Sequence, residues 1–426
     1  MEQTLNITAV ASLNPIFSLF LLPPQKWSSY EYSLVTTQKL IPFGILFLSL
    51  VIFHHKNKFI NIFNKNKRLP SLPPGPSPWP LVGNIPEMWR NRPAYRWINR
   101  VMKELDTNIA CFRLGNTSVI AVNSPEIAKE FLKNHDAVFA SRPLTVNTGI
   151  LSLGFLATIV TPVGNQWKKM RRVLVHDVFN RSKMQWMLQR RNEEADNLVR
   201  YIHNLSSNGG SAGQVVNVRT AAQHYTGSVV RKMMFNRRFY GKGSEDGGPG
   251  VEEEEHLSAL FTLLLHVYAF SVVDYLPWMR AFDLDGHEKK VSEVMEVLKK
   301  YQEVIVNERV QQWREGKKME AEDLLDVLIT LKDEGGKPLL SDDEIKAQIT
   351  LRFITFTTGR RSCLGSWLGT TMSVMLLARL VQGFTWSMPP GVEKIDLIEA
   401  DSLLLKDTPL HAHAKPRLPA SVYPIN

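Results

Sequence analysis

The segment Phe356-Thr-Thr-Gly-Arg-Arg-Ser-Cys-Leu-Gly365 is the most specific pattern in this chain, because a cysteine follows a glycine-arginine loop and precedes an apolar stretch. A cysteine thiolate that ligates a metal away from water requires a nearby positive charge and hydrogen-bond donors. Arg360 and Arg361 are candidates for the charge, and a helix starting after Cys363 would supply free N–H groups and a favourable dipole. The segment therefore predicts a metal-ligating thiolate at Cys363.

A lone cysteine is more often a small buried hydrophobic residue than a ligand. Five specified residue types at fixed spacing argue against that alternative here. Phe356 can pack against the sulfur and exclude water, while Gly359 and Gly365 let the backbone turn and approach a flat cofactor closely. The residues from Leu364 to Arg379 are apolar nearly all round, which predicts a helix buried in the core.

The segment resembles the ligand loop of the cytochrome P-450 superfamily, Phe-x-x-Gly-x-Arg-x-Cys-x-Gly, and matches it at every specified position. The resemblance implies a mainly α-helical fold with small β-sheets and a haem b cofactor. It also implies that Cys363 is the catalytic cysteine and the axial ligand of the haem iron, and that Arg361 bonds a haem propionate. Phe356, Gly359 and Gly365 would complete the haem-binding loop.

Trp167 and Arg171 are four residues apart, so they share one face of a predicted helix and can address the same anionic group. Taken alone, such a pair is more often cation–π packing at a surface. The resemblance assigns both residues to haem propionates. The flanking basic residues, Lys168, Lys169 and Arg172, would then form a docking surface for an acidic NADPH-cytochrome reductase that supplies electrons from NADPH, or simply a solvated basic face.

Composition is compatible with one large globular unit, since 44% of the 426 residues are hydrophobic. Two cysteines, Cys111 and Cys363, argue against a disulfide framework. Cys111 lies in a predicted hairpin, Ala110 to Leu114 and Ser118 to Val122 around Gly115, and is interpreted as core. The net charge of +10 suggests nucleic acid or an anionic membrane, and no nucleic-acid motif supports the first.

The stretch from Leu40 to Phe53 is apolar and is followed by several lysines, which predicts a single-pass membrane anchor with the rest of the chain on the cytosolic side. Its fourteen residues span about 21 Å as a helix, so we expect the span to extend to Leu34 with Lys39 snorkelling. A cleaved signal peptide is the alternative, but no small-residue cleavage site follows. The expected location is the endoplasmic reticulum membrane.

Three regions are predicted. Residues 1–68 form the anchor and its basic flank, residues 69–80 form a proline-rich hinge, and residues 81–426 form the cytochrome P-450 domain. The hinge contains Leu72-Pro-Pro-Gly-Pro76, which cannot be helical. An ordinary proline linker or a ligand for proline-binding domains is the alternative. In microsomal members of the superfamily a similar hinge lies between anchor and catalytic domain.

A wider resemblance, to plant amino acid N-monooxygenases, runs from about Leu72 to the C-terminus and includes the segments Asp274-Tyr-Leu-Pro-Trp278 and Leu377-Ala-Arg-Leu-Val381. It implies conversion of an amino acid to its aldoxime, and it is strongest to members that act on valine and isoleucine and feed cyanogenic glucoside synthesis. The aliphatic substrate would contact residues from Thr145 to Thr158 and from Leu403 to Pro409.

One departure from the family is large. Ser341-Asp-Asp-Glu344 is a capping box that should begin a long helix, but after Thr350 the chain runs from Leu351 as a β-branched and aromatic segment directly into the ligand loop. The resemblance implies that the distal long helix and the Glu-x-x-Arg helix are missing between Thr350 and Leu351. We therefore expect an incomplete fold and an inactive chain.

The sequence leaves three alternatives open for the function of the chain. The chain is a catalytically competent enzyme of unusual compactness, a membrane protein without stable haem that acts only by binding partners, or a haem-thiolate protein that senses gas or redox state.

Overall fold

The structure is a computed structural model that describes residues 71–208, 215–267, 269–350, 359–400 and 405–423. The chain divides into two compact units, Met1–Leu72 and Pro73–Asn426. The division falls inside the predicted proline-rich hinge. The predicted anchor from Leu40 to Phe53 lies outside the described residues, and no described helix is both long and apolar enough to cross a membrane.

Helices dominate the second unit. In chain order they are α1 (Ile85–Arg90), α2 (Ala94–Glu104), α3 (Pro125–Lys129), α4 (Asp136–Phe139), α5 (Val146–Leu151), α6 (Asn165–Val173), α7 (Arg181–Trp186), α8 (Leu188–Asn208), α9 (Val218–Phe235), α10 (Val251–Val267), α11 (His287–Arg314), α12 (Leu324–Thr330), α13 (Asp342–Thr350) and α14 (Ser366–Gly383). The strands are β1 (Ile109–Leu114), β2 (Thr117–Val122), β3 (Val215–Asn217), β4 (Phe384–Ser387) and β5 (His411–Pro416). This mainly helical composition with small sheets agrees with the predicted fold class.

Strands β1 and β2 form the predicted antiparallel hairpin, with Leu114 opposite Thr117 and Gly115 in the turn at φ +57°. Ala110, Phe112 and Leu114 point to the core in alternation. Cys111 lies on the opposite face and is only half-buried, so its interpretation as core was wrong, because strand side chains alternate between faces. Among the described residues a second sheet has the order β3-β5-β4.

Local patterns account for several helices. The predicted helical spacing from Val291 through Ile305 corresponds to α11, with Val291, Val294, Leu298 and Ile305 buried. Ser124 caps α3, since its side chain accepts a hydrogen bond from the N–H of Ile127.

The predicted capping box of α13 is formed in both directions. The N–H of Ser341 donates to Glu344 Oε2 at 2.8 Å, and the N–H of Glu344 donates to Ser341 Oγ at 3.2 Å. The helix then ends after nine residues at Thr350. Ile345 and Ile349 enter the largest apolar core, which also receives side chains from α6 to α9, α11, α12 and α14. Ala347 enters a second core, formed with α5, α10 and α11.

Helix α14 differs from the prediction of all-round burial. Met372, Leu380 and Gly383 are its buried residues. A stripe of apolar side chains on the helix is between 50% and 63% exposed: Trp367, Val374, Leu377 and Val381. We call these four residues the α14 stripe. Apolar composition alone did not predict burial here, because burial also requires a neighbouring element that covers the second face.

Candidate functional site

The predicted ligand loop is a short turn at the start of α14. Gly359–Arg361 forms one turn of 3-10 helix, the N–H of Ser362 donates to the carbonyl of Gly359 at 2.9 Å, and Gly365 is the N-cap of α14. Cys363 therefore lies just ahead of the helix and is half-buried. Phe356, predicted to pack against the sulfur, lies outside the described residues.

Two opposing effects act on the Cys363 thiol. Burial raises its pKa above the ordinary value, and a hydrogen bond from the backbone N–H of Gly365 lowers it by less. The predicted donor at the helix start is therefore present. The net direction means that the protein alone holds a neutral thiol, and that a bound cation would be required to favour the thiolate.

We had predicted that Arg360 and Arg361 supply positive charge to the Cys363 sulfur, but both side chains bind other groups. Arg360 forms an ion pair with Asp136 at 3.0 Å on the surface. Arg361 donates to the backbone carbonyls of Ala140, Thr158 and Thr161, at 2.8, 3.1 and 2.5 Å. Through these contacts both guanidinium groups bind the segment that precedes α6, and they hold the loop against that segment.

Gly359 is required for a reason other than the predicted approach to a flat cofactor. Its φ is +78°, and a Cβ at this position would lie 1.7 Å from the carbonyl oxygen of Leu132. The close approach is therefore to the chain's own backbone. At Gly365 a Cβ would make only ordinary contacts, 3.9 Å from Phe179 and 4.0 Å from the Cys363 sulfur.

Trp167 brings the two predicted haem motifs together. Its side chain is 5% exposed, and the guanidinium carbons of Arg171 and Arg361 lie 5.6 and 4.6 Å from its ring centroid. Its Nε1 is buried and has no hydrogen-bond partner in the described part of the chain. A buried donor without a partner is uncommon in proteins, so this nitrogen marks a place where an acceptor belongs.

Arg171 lies beside this unsatisfied donor. Its guanidinium reaches the carbonyl and the hydroxyl of Ser362 only at 3.4 Å, and within the described ranges it has no carboxylate at ion-pair distance. Burial lowers the pKa of Arg171. Burial, together with the charges of Arg142 and Arg171, lowers the pKa of Arg361 to about 10. The guanidinium groups of Arg171 and Arg361, which we call the guanidinium cluster, and the indole N–H of Trp167 therefore form a donor set that suits an anionic group such as a propionate.

The flanking basic residues do not behave alike. Lys168 and Arg172 are exposed. Lys169 instead binds Glu344, with Nζ 2.7 Å from both carboxylate oxygens. The predicted basic surface is therefore reduced at Lys169, since this charge is neutralised by the capping-box glutamate of α13.

A cavity of about 230 Å³ lies beside the cluster of Trp167, Arg171 and Arg361. Arg142 lines it, together with Thr145, Asn147 and Thr148 from the region predicted to contact substrate, and with Asp274 from the segment after α10. Sequence reasoning did not select Arg142 or Asp274 as functional residues, whereas Asn147 lies within the predicted substrate-contact segment from Thr145 to Thr158. The signal for Arg142 was its position three residues before the predicted substrate-contact segment that begins at Thr145.

The cytochrome P450 family model matches residues 73–354 and again residues 349–413, so the two matches cover most of the chain and overlap at their junction. The chain belongs to the cytochrome P450 family. This family carries haem and takes electrons from a redox partner, and the unsatisfied indole N–H, the guanidinium cluster and the cysteine at the start of α14 fit such a group.

Curated relatives agree on the reaction type. A tryptophan N-monooxygenase of Prunus mume is 47% identical, with 89% of this chain and 97% of the relative covered. An isoleucine N-monooxygenase of Lotus japonicus is 40% identical with 89% and 96% covered, and a valine N-monooxygenase of Manihot esculenta is 37% identical with 92% and 96% covered. Family and relatives together identify this P450 as a monooxygenase.

The lengths of the alignments exceed the length of this P450. The alignment with the Prunus mume relative extends over 517 positions, whereas the chain has 426 residues, so at least 91 aligned positions of the relative have no counterpart here. The identity to the tryptophan relative is also higher than the identities to the isoleucine and valine relatives.

Proposed function

We propose that this chain descends from enzymes that oxidise the amino nitrogen of an amino acid and release the aldoxime. The observation that carries the proposal is the cysteine loop at the start of α14, coupled through Arg361 to a buried Trp167 whose Nε1 lacks an acceptor in the described structure. The names of the relatives support amino acids as the substrate class.

Haem b is the cofactor in this proposal. Cys363 would ligate the iron through Sγ, and the N–H of Gly365 would remain hydrogen-bonded to that sulfur. Trp167 Nε1 and Arg171 would bind propionate oxygens, with Arg361 beside them. The remaining loop residues, Phe356, Gly359 and Gly365, would shape the backbone around the cofactor.

Bound haem would supply the activation of molecular oxygen, with electrons that originate from NADPH and arrive through a reductase. The chain's own contribution is positioning and protonation. Cys363 must lose its proton on ligation, which the burial of the thiol opposes and the charge of the metal favours. The exposed Lys168 and Arg172 would meet the reductase.

Valine and isoleucine are the substrates that we propose on the sequence resemblance. Tryptophan is the principal competitor, because the tryptophan relative has the higher identity. An assay should therefore offer all three amino acids in parallel.

We also propose that a segment is missing between Thr350 and Leu351 and that this chain is inactive as a result. Three observations support this view: α13 ends after nine residues, the family model matches in two pieces that meet at this point, and the alignment with a relative contains at least 91 positions that this chain lacks. The missing part would include the distal long helix and the Glu-x-x-Arg helix of the family.

The proposed membrane arrangement is a single-pass anchor within residues 1–68, a hinge at residues 69–80 and a cytosolic domain from residue 81 onward, in the endoplasmic reticulum. Its support is the apolar stretch from Leu40 to Phe53 and the basic residues after it. Carbonate extraction of microsomes, followed by protease treatment of sealed microsomes, tests it. Release by carbonate, or protection of the large domain, would contradict it.

The decisive experiment compares this chain with a chimera in which the corresponding segment of the Prunus mume relative is inserted between Thr350 and Leu351. Both are expressed in microsomes with a reductase, reduced with dithionite and treated with carbon monoxide, and a red-shifted Soret band reports thiolate-ligated haem. Cys363→Ser should abolish that band in the chimera, and Cys111→Ser is the matched cysteine control. Aldoxime formation is then measured with valine, isoleucine and tryptophan.

We expect aldoxime from the chimera and none from the chain. Turnover by the unmodified chain would show a compact competent enzyme and overturn the proposed inactivity. A Soret band without turnover in both proteins would favour a haem-thiolate sensor. Absence of the band in both, with protein present in the membrane, would overturn the haem assignment and leave a membrane protein that acts by binding partners.

A further inference from the structure

The cavity beside the guanidinium cluster carries charges of both signs. It is lined by the charged residues Arg142 and Asp274 and by the apolar residues Ile159, Val160 and Phe270. Its volume of about 230 Å³ lies below the roughly 300–1,000 Å³ of sites for drug-sized ligands. The cavity therefore suits a ligand of the size of a single amino acid.

Asn147 is the strongest sign that a ligand belongs here. Its side chain is 2% exposed and lines the cavity, and its Oδ1 is buried with no hydrogen-bond partner in the part of the chain that the structure describes. An amide oxygen accepts hydrogen bonds and cannot donate them. The missing partner is therefore a donor, as an ammonium group is.

Asp274 supplies a second acceptor in the same wall. One carboxylate oxygen accepts a hydrogen bond from the N–H of Val146 at 2.9 Å, and the residue forms no ion pair in the described ranges. Burial raises the pKa of Asp274, the charge of Asp285 adds to the rise, and the N–H of Val146 and His287 oppose it. A bound cation would relieve the desolvation of this carboxylate.

The other polar groups in the wall do not supply that cation. His266 contacts His287, with 2.5 Å between their Nδ1 atoms, and burial, the charge of His287 and that of Lys290 lower the pKa of His266. His266 is therefore neutral near pH 7. Arg142 is exposed, forms no ion pair in the described part of the chain, and lies close enough to Arg361 for its charge to lower the pKa of that residue.

We propose that this cavity binds the zwitterion of the amino acid substrate, with the carboxylate on Arg142 and the ammonium group between Asn147 Oδ1 and Asp274. The apolar residues Ile159, Val160 and Phe270 would contact the substrate side chain. This inference rests on the proposed function for its substrate class. It adds the residues that would distinguish an amino acid from a simple amine or a simple acid.

All the proposed ligand contacts come from residues that precede the junction at Thr350, so binding can be measured without haem and without turnover. The full chain in nanodiscs is titrated by calorimetry with L-valine, L-isoleucine and L-tryptophan, and the tightest of the three is kept. Its carboxamide, which lacks the carboxylate, and its deaminated acid, which lacks the ammonium group, are titrated in parallel.

Arg142→Gln should weaken binding of the amino acid by about ten- to hundred-fold and leave binding of the carboxamide unchanged. Asp274→Asn should weaken binding of the amino acid by a similar factor and leave the deaminated acid unchanged. Asn147→Leu, of similar size, should resemble Asp274→Asn. Arg181→Gln, an exposed arginine on α7, is the matched control and should bind as the parent chain does.

Each variant should lose affinity only for ligands that carry the group it binds. A merely structural role for these residues would not produce this selectivity. Equal losses for both analogues in Arg142→Gln and Asp274→Asn would overturn the inference, as would the absence of binding by all three amino acids. Specific binding without turnover in the chimera would refute the proposed function and retain this site. Turnover that none of the three variants alters would retain the proposed function and refute this site.

Discussion

The guanidinium carbon of Arg361 lies 4.6 Å from the ring centroid of Trp167, so two motifs that are far apart in the chain form one cluster. The same guanidinium donates to three backbone carbonyls between Ala140 and Thr161. The loop that holds Cys363 is therefore fastened to the segment before α6 by the protein itself.

Arg361→Leu should lower the free energy of unfolding by about 2 to 4 kcal/mol, because it leaves up to three carbonyls without their donor, each worth about 1–3 kcal/mol when buried. Urea unfolding of the full chain in mild detergent measures this. The adjacent Arg360→Leu is the matched control, and its loss should stay below about 1 kcal/mol because its ion pair with Asp136 is at the surface. Equal losses for the two variants would contradict the structural role of Arg361.

Trp167→Phe retains an aromatic ring and removes the buried N–H that lacks an acceptor. We expect the haem-free protein to be no less stable, because an unsatisfied donor is removed. The haem-loaded chimera, by contrast, should lose haem faster, since a propionate contact is lost. Thermal unfolding without haem and transfer of haem to apomyoglobin measure the two effects. Unchanged haem transfer would argue against a role for Nε1 in haem binding.

The Cys363 thiol should react slowly with iodoacetamide in haem-free Cys111→Ser protein, because burial raises its pKa and lowers the thiolate fraction near neutral pH. The rate of alkylation should increase only when the pH exceeds the ordinary pKa of a cysteine thiol. Since the folded state keeps its proton longer than the unfolded state, this group also lowers stability as pH rises past the ordinary cysteine pKa. Reaction faster than that of a free thiol at pH 7 would contradict the pKa direction.

Glu344→Gln should destabilise the chain by about 1 to 3 kcal/mol at pH 7, because Lys169 would lose its partner in a partly buried ion pair. Burial alone would raise the pKa of Glu344, but hydrogen bonds from Lys169, Ser341 and Gln166 together lower it. A lowered carboxylate pKa stabilises the fold above its unfolded pKa and ceases to do so as pH falls through the folded pKa.

The difference between the parent chain and Glu344→Gln should therefore shrink as pH falls from about 5 toward 3. Urea unfolding at several pH values checks it. Glu296→Gln, at an exposed position on α11, is the control, and its effect should be small at every pH. A difference that is constant with pH would rule out the ion pair as the cause.

Leu377→Glu combined with Val381→Glu should raise the fraction of soluble, monodisperse protein after detergent extraction, because both residues belong to the exposed α14 stripe. Their effect on the free energy of unfolding should be within about 0.5 kcal/mol. Met372→Glu, at a buried position on the same helix, should destabilise strongly. Equal destabilisation by the double variant would show that the stripe is covered in solution.

Local sequence patterns predicted the elements that depend on neighbours in the chain. The hairpin around Gly115, the capping box of Ser341 and Glu344, and the amphipathic α11 all follow from spacing and turn chemistry. The cysteine loop and the pairing of Trp167 with Arg171 were also visible in the sequence.

Contacts between distant segments were not predictable in this way. The bonds of Arg361 to Ala140 and Thr161, and of Lys169 to Glu344, join residues more than 170 positions apart. Periodicity describes which face of a helix is apolar, but it does not state whether another element covers that face. For this reason α14 was expected to be buried, and the sequence did not predict that Asp274 would line the same cavity as Asn147.

The exposed face of α14 also affects how the cell handles the protein, independently of catalysis. A helix that presents tryptophan, valine and leucine side chains to water offers chaperones and the degradation machinery the feature by which they recognise unfinished proteins. The abundance of this polypeptide would then be set by how quickly it is removed after synthesis.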